Sequence, residues 1–196
     1  MYHKHHTKGI VVYGLTEGDD SRRVWIFTED FGLLSAKAQG ARKSISRLRP
    51  SVQDLSFGTF SLIKGKTGWK IVSINVENNF YEDLKFSKDR LSIAINIFNF
   101  VNKNIGVEEE NRVLFEMVIN FMRLLKTLDE KKVPLAECLI MLRIIHNLGF
   151  LKNDPEISLY LPTSIMSDDE LENIAPKKKK IIDLINDSMR SADLTR

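Results

Sequence analysis

Arg22-Arg-Val-Trp-Ile-Phe-Thr28, then Asp30-Phe-Gly32, then Leu33-Leu-Ser-Ala-Lys-Ala-Gln-Gly-Ala41 is the stretch of sequence that decides the fold. Both outer segments are short, rich in apolar residues and bounded by turn residues, which is typical of strands. The tripeptide between them ends in glycine, which suits a tight connection. The stretch therefore predicts two neighbouring strands, residues 22–28 and 33–41.

Three more predicted strands surround this pair in the first 78 residues. They are residues 9–15, 52–64 and 69–76, and turn residues at 17–20 and 65–68 separate the strands of the first and last pairs. Five strands in so short a segment are typical of a small Greek-key barrel of the OB type. An SH3-like barrel is the alternative, because the number of strands does not fix their order.

After Asn79 the apolar residues recur about every 3.6 positions, which predicts helices. Three amphipathic helices are expected first, the third beginning near Pro134 and ending at Gly149, a residue suited to a left-handed C-cap. Ser167 and Glu170 form a capping-box pattern for a short helix, and a last helix follows. The predicted fold class is α+β, with an OB-fold domain over residues 1–79 and a helical domain over residues 80–196.

Basic residues are concentrated in the first part of the chain. The formal net charge of the protein is +3. Residues 1–78 hold 12 Lys and Arg against 7 Asp and Glu, a net +5, whereas residues 79–196 hold 17 against 19, a net −2. Residues 31–53 contain five basic residues and no acidic one. Such a basic stripe favours a polyanion as partner.

Candidate nucleic-acid contacts lie in this stripe and around the last predicted hairpin. On a strand, Lys37 and Gln39 point to the same face, and the basic residues of the following loop could neutralise successive phosphates. A tryptophan after the hairpin could stack on a base or belong to the core, whereas Trp25, Phe27, Phe57 and Phe60 are expected in the core. The candidate DNA-binding residues are Lys37, Gln39, Arg42, Lys43, Arg47, Arg49, Lys66, Trp69 and Lys70.

Signals for catalysis and for a metal or cofactor site are weak. The sequence has no phosphate-binding loop, dinucleotide fingerprint or nucleophile elbow. His3, His5 and His6 lie at a terminus expected to be mobile, and Cys138 is the single cysteine. The acidic run 108–110 is interpreted as the opening of a helix. The sequence predicts a non-enzyme with no cofactor and no metal site.

Neither a secretory leader nor a membrane span is indicated. The first residues include no apolar core of a signal peptide, and no window approaches about 18 uninterrupted apolar residues. The single cysteine fits a reducing compartment. A cytoplasmic location is therefore expected.

The run of four lysines from Lys177 to Lys180 has two interpretations. Cations at the start of a helix oppose the helix dipole, and Pro176 favours an interruption of the helix at this point. The run is either a solvated surface segment, which is the more common case, or an electrostatic contact to nucleic acid.

The N-terminal sequence resembles that of the RecO family of bacterial recombination mediators. The resemblance is carried by Thr7-Lys-Gly-Ile-Val-Val12, Phe27-Thr-Glu-Asp-Phe-Gly-Leu-Leu34, Ala38-Gln-Gly-Ala-Arg-Lys43 and Ser46-Arg-Leu48, with weaker similarity at His146-Asn-Leu-Gly-Phe150. It implies an OB fold, DNA binding and strand annealing, with RecR and the C-terminal tail of single-stranded DNA-binding protein as partners. It implies no catalytic residues.

Some residues depart from the family pattern. Arg42 and Lys43 match the basic DNA-contacting motif, whereas Gln39 stands where the family usually has lysine, and Lys37 would compensate. The family's Arg-Phe-Glu run is replaced around Cys138, and the cysteine zinc module of some members is missing. Two other functions are retained as alternatives: an OB-fold RNA-binding or ribosome-associated protein, and a helical protein-interaction adaptor with a structural barrel.

Overall fold

The computed structural model describes residues 3–43, 46, 48–161 and 166–192. The chain forms two compact units, residues 1–86 with 105–112, and residues 87–104 with 113–196. No helix in these described ranges is long and apolar enough to cross a membrane.

The first unit is a closed five-stranded barrel with the strand order β1-β2-β3-β5-β4. All neighbours are antiparallel except β3 and β5, which are parallel and close the barrel. The predicted OB-type fold is confirmed, because this order belongs to the five-stranded Greek-key barrel. The strands are β1 Lys4–Glu17, β2 Ser21–Thr28, β3 Gly32–Ala38, β4 Ser56–Gly65 and β5 Gly68–Asn79.

Alternation along the strands places every second side chain in the barrel core. On β2, Val24 and Ile26 point inward, while Arg23 before them and Trp25 between them are partly exposed. Small residues such as Ala36 on β3 leave room for the large rings of Phe60 and Trp69. The core is filled by side chains from all five strands, so a ligand has to bind on the exposed parts of the outer face.

A segment that lies between two helices in the sequence belongs to the barrel unit. Residues 105–112, which we call the strap, contact the start of β3 through a bridge between Val107 and Leu33. The amide of Glu108 also donates a hydrogen bond of 2.8 Å to the carbonyl oxygen of Leu33. Gly32 has a φ of +62°, and a Cβ on it would lie 1.9 Å from the carbonyl oxygen of Glu109. Glycine is therefore required where the strap crosses.

The second unit is helical, as predicted. After α1 Phe80–Leu84 in the barrel unit, the helices are α2 Lys88–Asn104, α3 Arg112–Thr127, α4 Val133–Asn147, α5 Asp168–Ile174 and α6 Lys178–Ser191, with 3-10 turns at Ser158–Tyr160 and Ala175–Lys177. Gly149 after α4 has a φ of +77°, and the Ser167 hydroxyl accepts a hydrogen bond from the Glu170 amide at 3.2 Å. Both predicted helix ends are confirmed.

The expected role of the acidic run at 108–110 is wrong. The helix α3 begins only at Arg112, and its first turn contains no acidic residue. Glu108 instead has a left-handed φ of +59° and lies in the strap. The barrel contacts of this segment, which periodicity does not reveal, determine its conformation.

A buried ion pair holds the helical unit together around α4. Arg143 is 0% exposed, and its guanidinium contacts the carboxylate of Glu170 on α5. Its Nε also donates a hydrogen bond of 2.8 Å to the carbonyl oxygen of Tyr160. Burial lowers the pKa of Arg143, although the neighbouring Glu170 acts in the opposite direction. The pair connects the loop after α4 and helix α5 to α4.

Candidate nucleic-acid interface

The outer face of the barrel carries a row of cations across three neighbouring strands. Arg23 of β2 lies opposite Lys37 of β3, and Lys37 is in register with Lys70 of β5. Lys70 is exposed and the other two side chains are partly exposed. Residues opposite one another in a sheet are neighbours on the same face. We call Arg23, Lys37 and Lys70 the cationic row.

Glu17, the last residue of β1, lies within the cationic row. Its Oε1 accepts a hydrogen bond from Arg23 Nη2 at 2.8 Å and lies 3.8 Å from Lys37 Nζ. The hydrogen bond from Arg23, followed by the charges of Arg23 and Lys37, lowers the pKa of Glu17 despite partial desolvation. Among the described residues its buried Oε2 has no hydrogen-bond partner. One internal carboxylate therefore neutralises part of the row.

A cleft of about 330 Å³ opens beside the row. Lys37 and residues 39, 40 and 43 line one part of it, and residues 17–21, which include the β1–β2 loop at 18–20, line the rest. Lys43 Nζ lies 3.2 Å from Asp20 Oδ2. The segment that contains no acid in the sequence therefore has carboxylates beside it in space, because the fold brings the β1–β2 loop against it.

Arg42 stabilises the same loop. Its Nη1 donates hydrogen bonds to the carbonyl oxygens of Gly18 at 3.1 Å and Asp19 at 2.9 Å, and the Arg42 amide donates to the carbonyl oxygen of Asp20 at 3.0 Å. Arg42 is nevertheless an exposed residue. Its guanidinium thus positions the loop, a role that the basic motif did not indicate.

The remaining candidates are scattered around this region. Lys66 is exposed in the turn between β4 and β5, next in sequence to the strand that carries Lys70. Arg49 is exposed in the turns between β3 and β4. Arg47 lies outside the described residues. The structure therefore brings Lys37 and Lys70 directly together and adds Arg23, which the sequence analysis missed.

Trp69 is a core residue, which corrects its prediction as a candidate stacking platform. It is 4% exposed and belongs to the barrel core. Its indole Nε1 donates a hydrogen bond of 2.9 Å to Glu108 of the strap, and Lys64 Nζ lies 5.3 Å from the ring centroid. Both the burial and this hydrogen bond fix the ring within the barrel unit, so it is not accessible to a base.

The prediction for Trp25 is wrong in the opposite direction, because a residue expected in the core lies at the surface. The core position predicted for it is wrong, because its ring is partly exposed and stacks on Tyr13 with a centroid distance of 4.5 Å and an interplanar angle of 11°. The register of β1 shifts between Val11 and Tyr13, which places Tyr13 opposite Trp25. Trp25 alternates along β2 with the inward-facing Val24 and Ile26, and this alternation could have predicted an outward-facing ring. The predicted burial of Phe27, Phe57 and Phe60 is confirmed.

Two of the three N-terminal histidines, His5 and His6, lie in a paired strand and not in a mobile tail. Strand β1 begins at Lys4 and pairs with β4 from that residue onward. The ring of His5 makes edge contacts with Phe31 and Trp69, and His6 Nδ1 lies 3.0 Å from the Ser61 hydroxyl. In the part of the chain that the structure describes, no three His, Cys, Asp or Glu side chains are grouped to hold a metal ion.

The lysine run begins helix α6. Lys180 Nζ lies 3.0 Å from Asp154 Oδ2 and 2.9 Å from Glu156 Oε2, and Lys177 Nζ is 5.3 Å from the ring centroid of Tyr160. The hydrogen bond to Glu156, then that to Asp154, raises the pKa of Lys180. Contacts within the helical unit thus occupy at least two of the four cations.

A second concave surface lies in the helical unit. It is a groove of about 490 Å³ between α2, α4 and α6, at the place where the sequence departs from the family pattern around Cys138. Apolar side chains such as Phe100 and Met189 line it, with Lys103 and Glu137 also contributing. Burial raises the pKa of the Cys138 thiol, which keeps it protonated at neutral pH.

Comparison with known proteins agrees with this fold. Residues 1–79 match the family described as Recombination protein O N terminal. The chain is 28% identical over 144 residues to the DNA repair protein RecO of Acetivibrio thermocellus, covering 74% of this chain and 57% of that protein. It is 26% identical over 141 residues to the DNA repair protein RecO of an Exiguobacterium species, covering 72% and 55%.

A third relative covers a shorter stretch at higher identity. It is the DNA repair protein RecO of Clostridium perfringens strain SM101, 31% identical over 104 residues, or 53% of this chain and 46% of that protein. The matches span about half the length of these curated relatives. The predicted resemblance is confirmed: residues 1–79 match the model of the RecO N-terminal domain, and much of the chain is similar to proteins named DNA repair protein RecO.

Proposed function

We propose that this protein is a non-catalytic recombination mediator in DNA repair that binds single- and double-stranded DNA through the outer face of its barrel. The observation that carries the proposal is the cationic row across β2, β3 and β5 of an OB-type barrel. OB folds bind oligonucleotides through the face of strands 2 and 3 and through the loops after strands 1 and 4. Lys66 lies in the second of these loops.

The proposed contacts are to phosphates, which makes binding independent of base sequence. Arg23, Lys37 and Lys70 form the centre of the surface, and Gln39, Lys43 and Lys66 extend it, together with Arg42, Arg47 and Arg49 of the basic segment. Two strands held near one basic surface repel each other less, while their bases stay available to pair. The mechanism is strand annealing and recombinase loading, in which no bond is made or broken.

Protein partners are proposed for the helical unit. RecR and the acidic C-terminal tail of single-stranded DNA-binding protein are the partners that the resemblance to the RecO family suggests. The net charge of −2 over residues 79–196 argues against this part as the main DNA site. We propose that it contributes protein contacts, and that the barrel contributes DNA contacts.

An annealing and binding assay on the purified full chain tests the proposal. We expect salt-sensitive binding of single- and double-stranded DNA and faster annealing of complementary strands, with matched RNA as a weaker competitor. Preference for structured RNA would favour the RNA-binding alternative. Negligible binding to either nucleic acid at low salt would favour the adaptor alternative and overturn the proposal.

A further inference from the structure

We infer that the stacked pair Tyr13 and Trp25 is a platform on which a base of single-stranded nucleic acid stacks. The inference rests on the proposed DNA binding and assigns it an aromatic contact. The two rings lie on the outer face of β1 and β2, 4.5 Å apart and nearly parallel. Both side chains are partly exposed.

The neighbouring residue on β3 leaves space beside the tryptophan. Tyr13, Trp25 and Ser35 are successive cross-strand neighbours on β1, β2 and β3. Tyr13 covers one side of the indole, whereas Ser35 on the other side is small and rises little above the sheet. A base added there would continue the stack that the two rings have begun, since every base offers a π-face.

The cationic row is next to the platform along the same strands. Arg23 precedes Trp25 by two residues, and Lys37 follows Ser35 by two residues, so all four share the outer face. Two residues along a strand span about 7 Å. A base on Trp25 would therefore have its phosphate within reach of Arg23 or Lys37.

The chemistry of this face selects a nucleic acid over an apolar protein. Leu15, 57% exposed, lies opposite Arg23, so an apolar and aromatic patch is bordered by cations. The barrel core does not need these rings, because Phe60 and Trp69 fill it. Stacking surface beside phosphate-binding cations is the combination by which proteins hold single strands without reading sequence.

Tryptophan fluorescence tests the platform directly. Trp69→Phe leaves Trp25 as the sole tryptophan, since the sequence has two. Titration of this full-length variant, once its melting curve is shown to be cooperative, with a thymidine oligonucleotide should quench the Trp25 emission. An oligonucleotide of the same length made of abasic sites keeps the phosphates and should bind with little quenching.

Substitutions complete the test. Trp25→Leu should weaken single-strand binding about tenfold, Trp25→Phe should retain most of it, and Val76→Ala, which shortens an exposed side chain on β5, should change nothing. Unchanged affinity in Trp25→Leu together with no quenching would overturn the platform and leave the proposed function intact. Absence of DNA binding by the unaltered protein would overturn both.

Discussion

Glu17 Oε1 accepts a hydrogen bond from Arg23 Nη2 at 2.8 Å, so a carboxylate of the protein lies beside the cationic row, the surface that we propose for phosphates. Glu17→Gln retains an oxygen for this hydrogen bond and removes the charge. We expect the variant to bind DNA about fivefold more tightly at low salt, a gain that shrinks as salt screens the charges. Fluorescence anisotropy at two salt concentrations measures it.

Glu116→Gln is the control for this change in net charge, because Glu116 is an exposed residue of α3 in the helical unit. It should leave DNA affinity nearly unchanged. Equal effects of the two substitutions would mean that only the total charge matters, and that Glu17 has no particular relation to the binding surface.

The dependence of binding on salt should identify the cationic row. Lys37→Ala with Lys70→Ala removes two neighbouring phosphate contacts, which should flatten the slope of log affinity against log salt by about 1.4 units for single strands and about 1.8 for duplex DNA. The loss should be similar for all sequences. Lys88→Ala with Lys131→Ala removes the same charge from exposed positions of the helical unit and should leave the slope of log affinity against log salt unchanged. Equal slopes in both double variants would count against the row.

The stability of the helical unit should depend on Arg143. Arg143→Met leaves Glu170 and the carbonyl oxygen of Tyr160 without their donor, at a cost of about 3 kcal/mol in the free energy of unfolding. Glu170→Gln should cost less, because its amide oxygen still accepts from Arg143. Urea unfolding followed by circular dichroism compares the two. Equal stability of Arg143→Met and the unaltered protein would show that the pair does not stabilise this unit.

Acid unfolding should involve Lys180. Its hydrogen bonds lower the pKa of Asp154 and Glu156 in the folded protein. For such carboxylates the stabilisation is fully present above their ordinary pKa values, near pH 4, and is lost as the pH falls through the lower folded values. Lys180→Met should therefore unfold at higher pH than the unaltered protein. Identical acid transitions would mean that this cation contributes nothing to stability.

Gly32 should be the glycine of the barrel least tolerant of substitution. A Cβ at this position would lie 1.9 Å from the Glu109 carbonyl oxygen, and the φ of +62° adds about 1–2 kcal/mol of backbone strain. Gly40→Ala is the matched control, with a φ of +69° but no atom within 4 Å of the added Cβ. Gly32→Ala should lower the melting temperature more than Gly40→Ala does. Equal losses would mean that only backbone conformation matters there.

Much of the fold follows from local patterns. The short apolar segment 22–28 and the glycine of the following turn predicted β2 and the beginning of β3, and the structure has β2 and this beginning within one residue of the prediction. The capping pattern at Ser167 likewise marked the beginning of α5. These features depend on residues close in sequence, which is why a sequence without further information is enough to predict them.

The candidate site was less predictable, because its geometry depends on contacts between distant segments. Lys37 meets Lys70 only through the parallel pairing of β3 and β5, and Glu17 joins them because the first hairpin ends there. Trp25 lies between Val24 and Ile26 in the sequence, whereas Trp69 lies between Gly68 and Lys70, and yet Trp69 is the more deeply buried of the two. A register shift in β1 and the hydrogen bond that the Trp69 indole donates to Glu108 of the strap contribute to their different surroundings.

The strap has a consequence for the order in which the protein takes shape on the ribosome. The barrel unit includes residues 105–112, which are synthesised after the whole of α2. Until Glu108 has emerged, the Trp69 indole lacks its acceptor and Leu33 lacks its bridge to Val107. All five strands of the barrel are therefore synthesised before the strap that contacts them, and a gene truncated after β5 would encode a barrel that lacks both of these contacts.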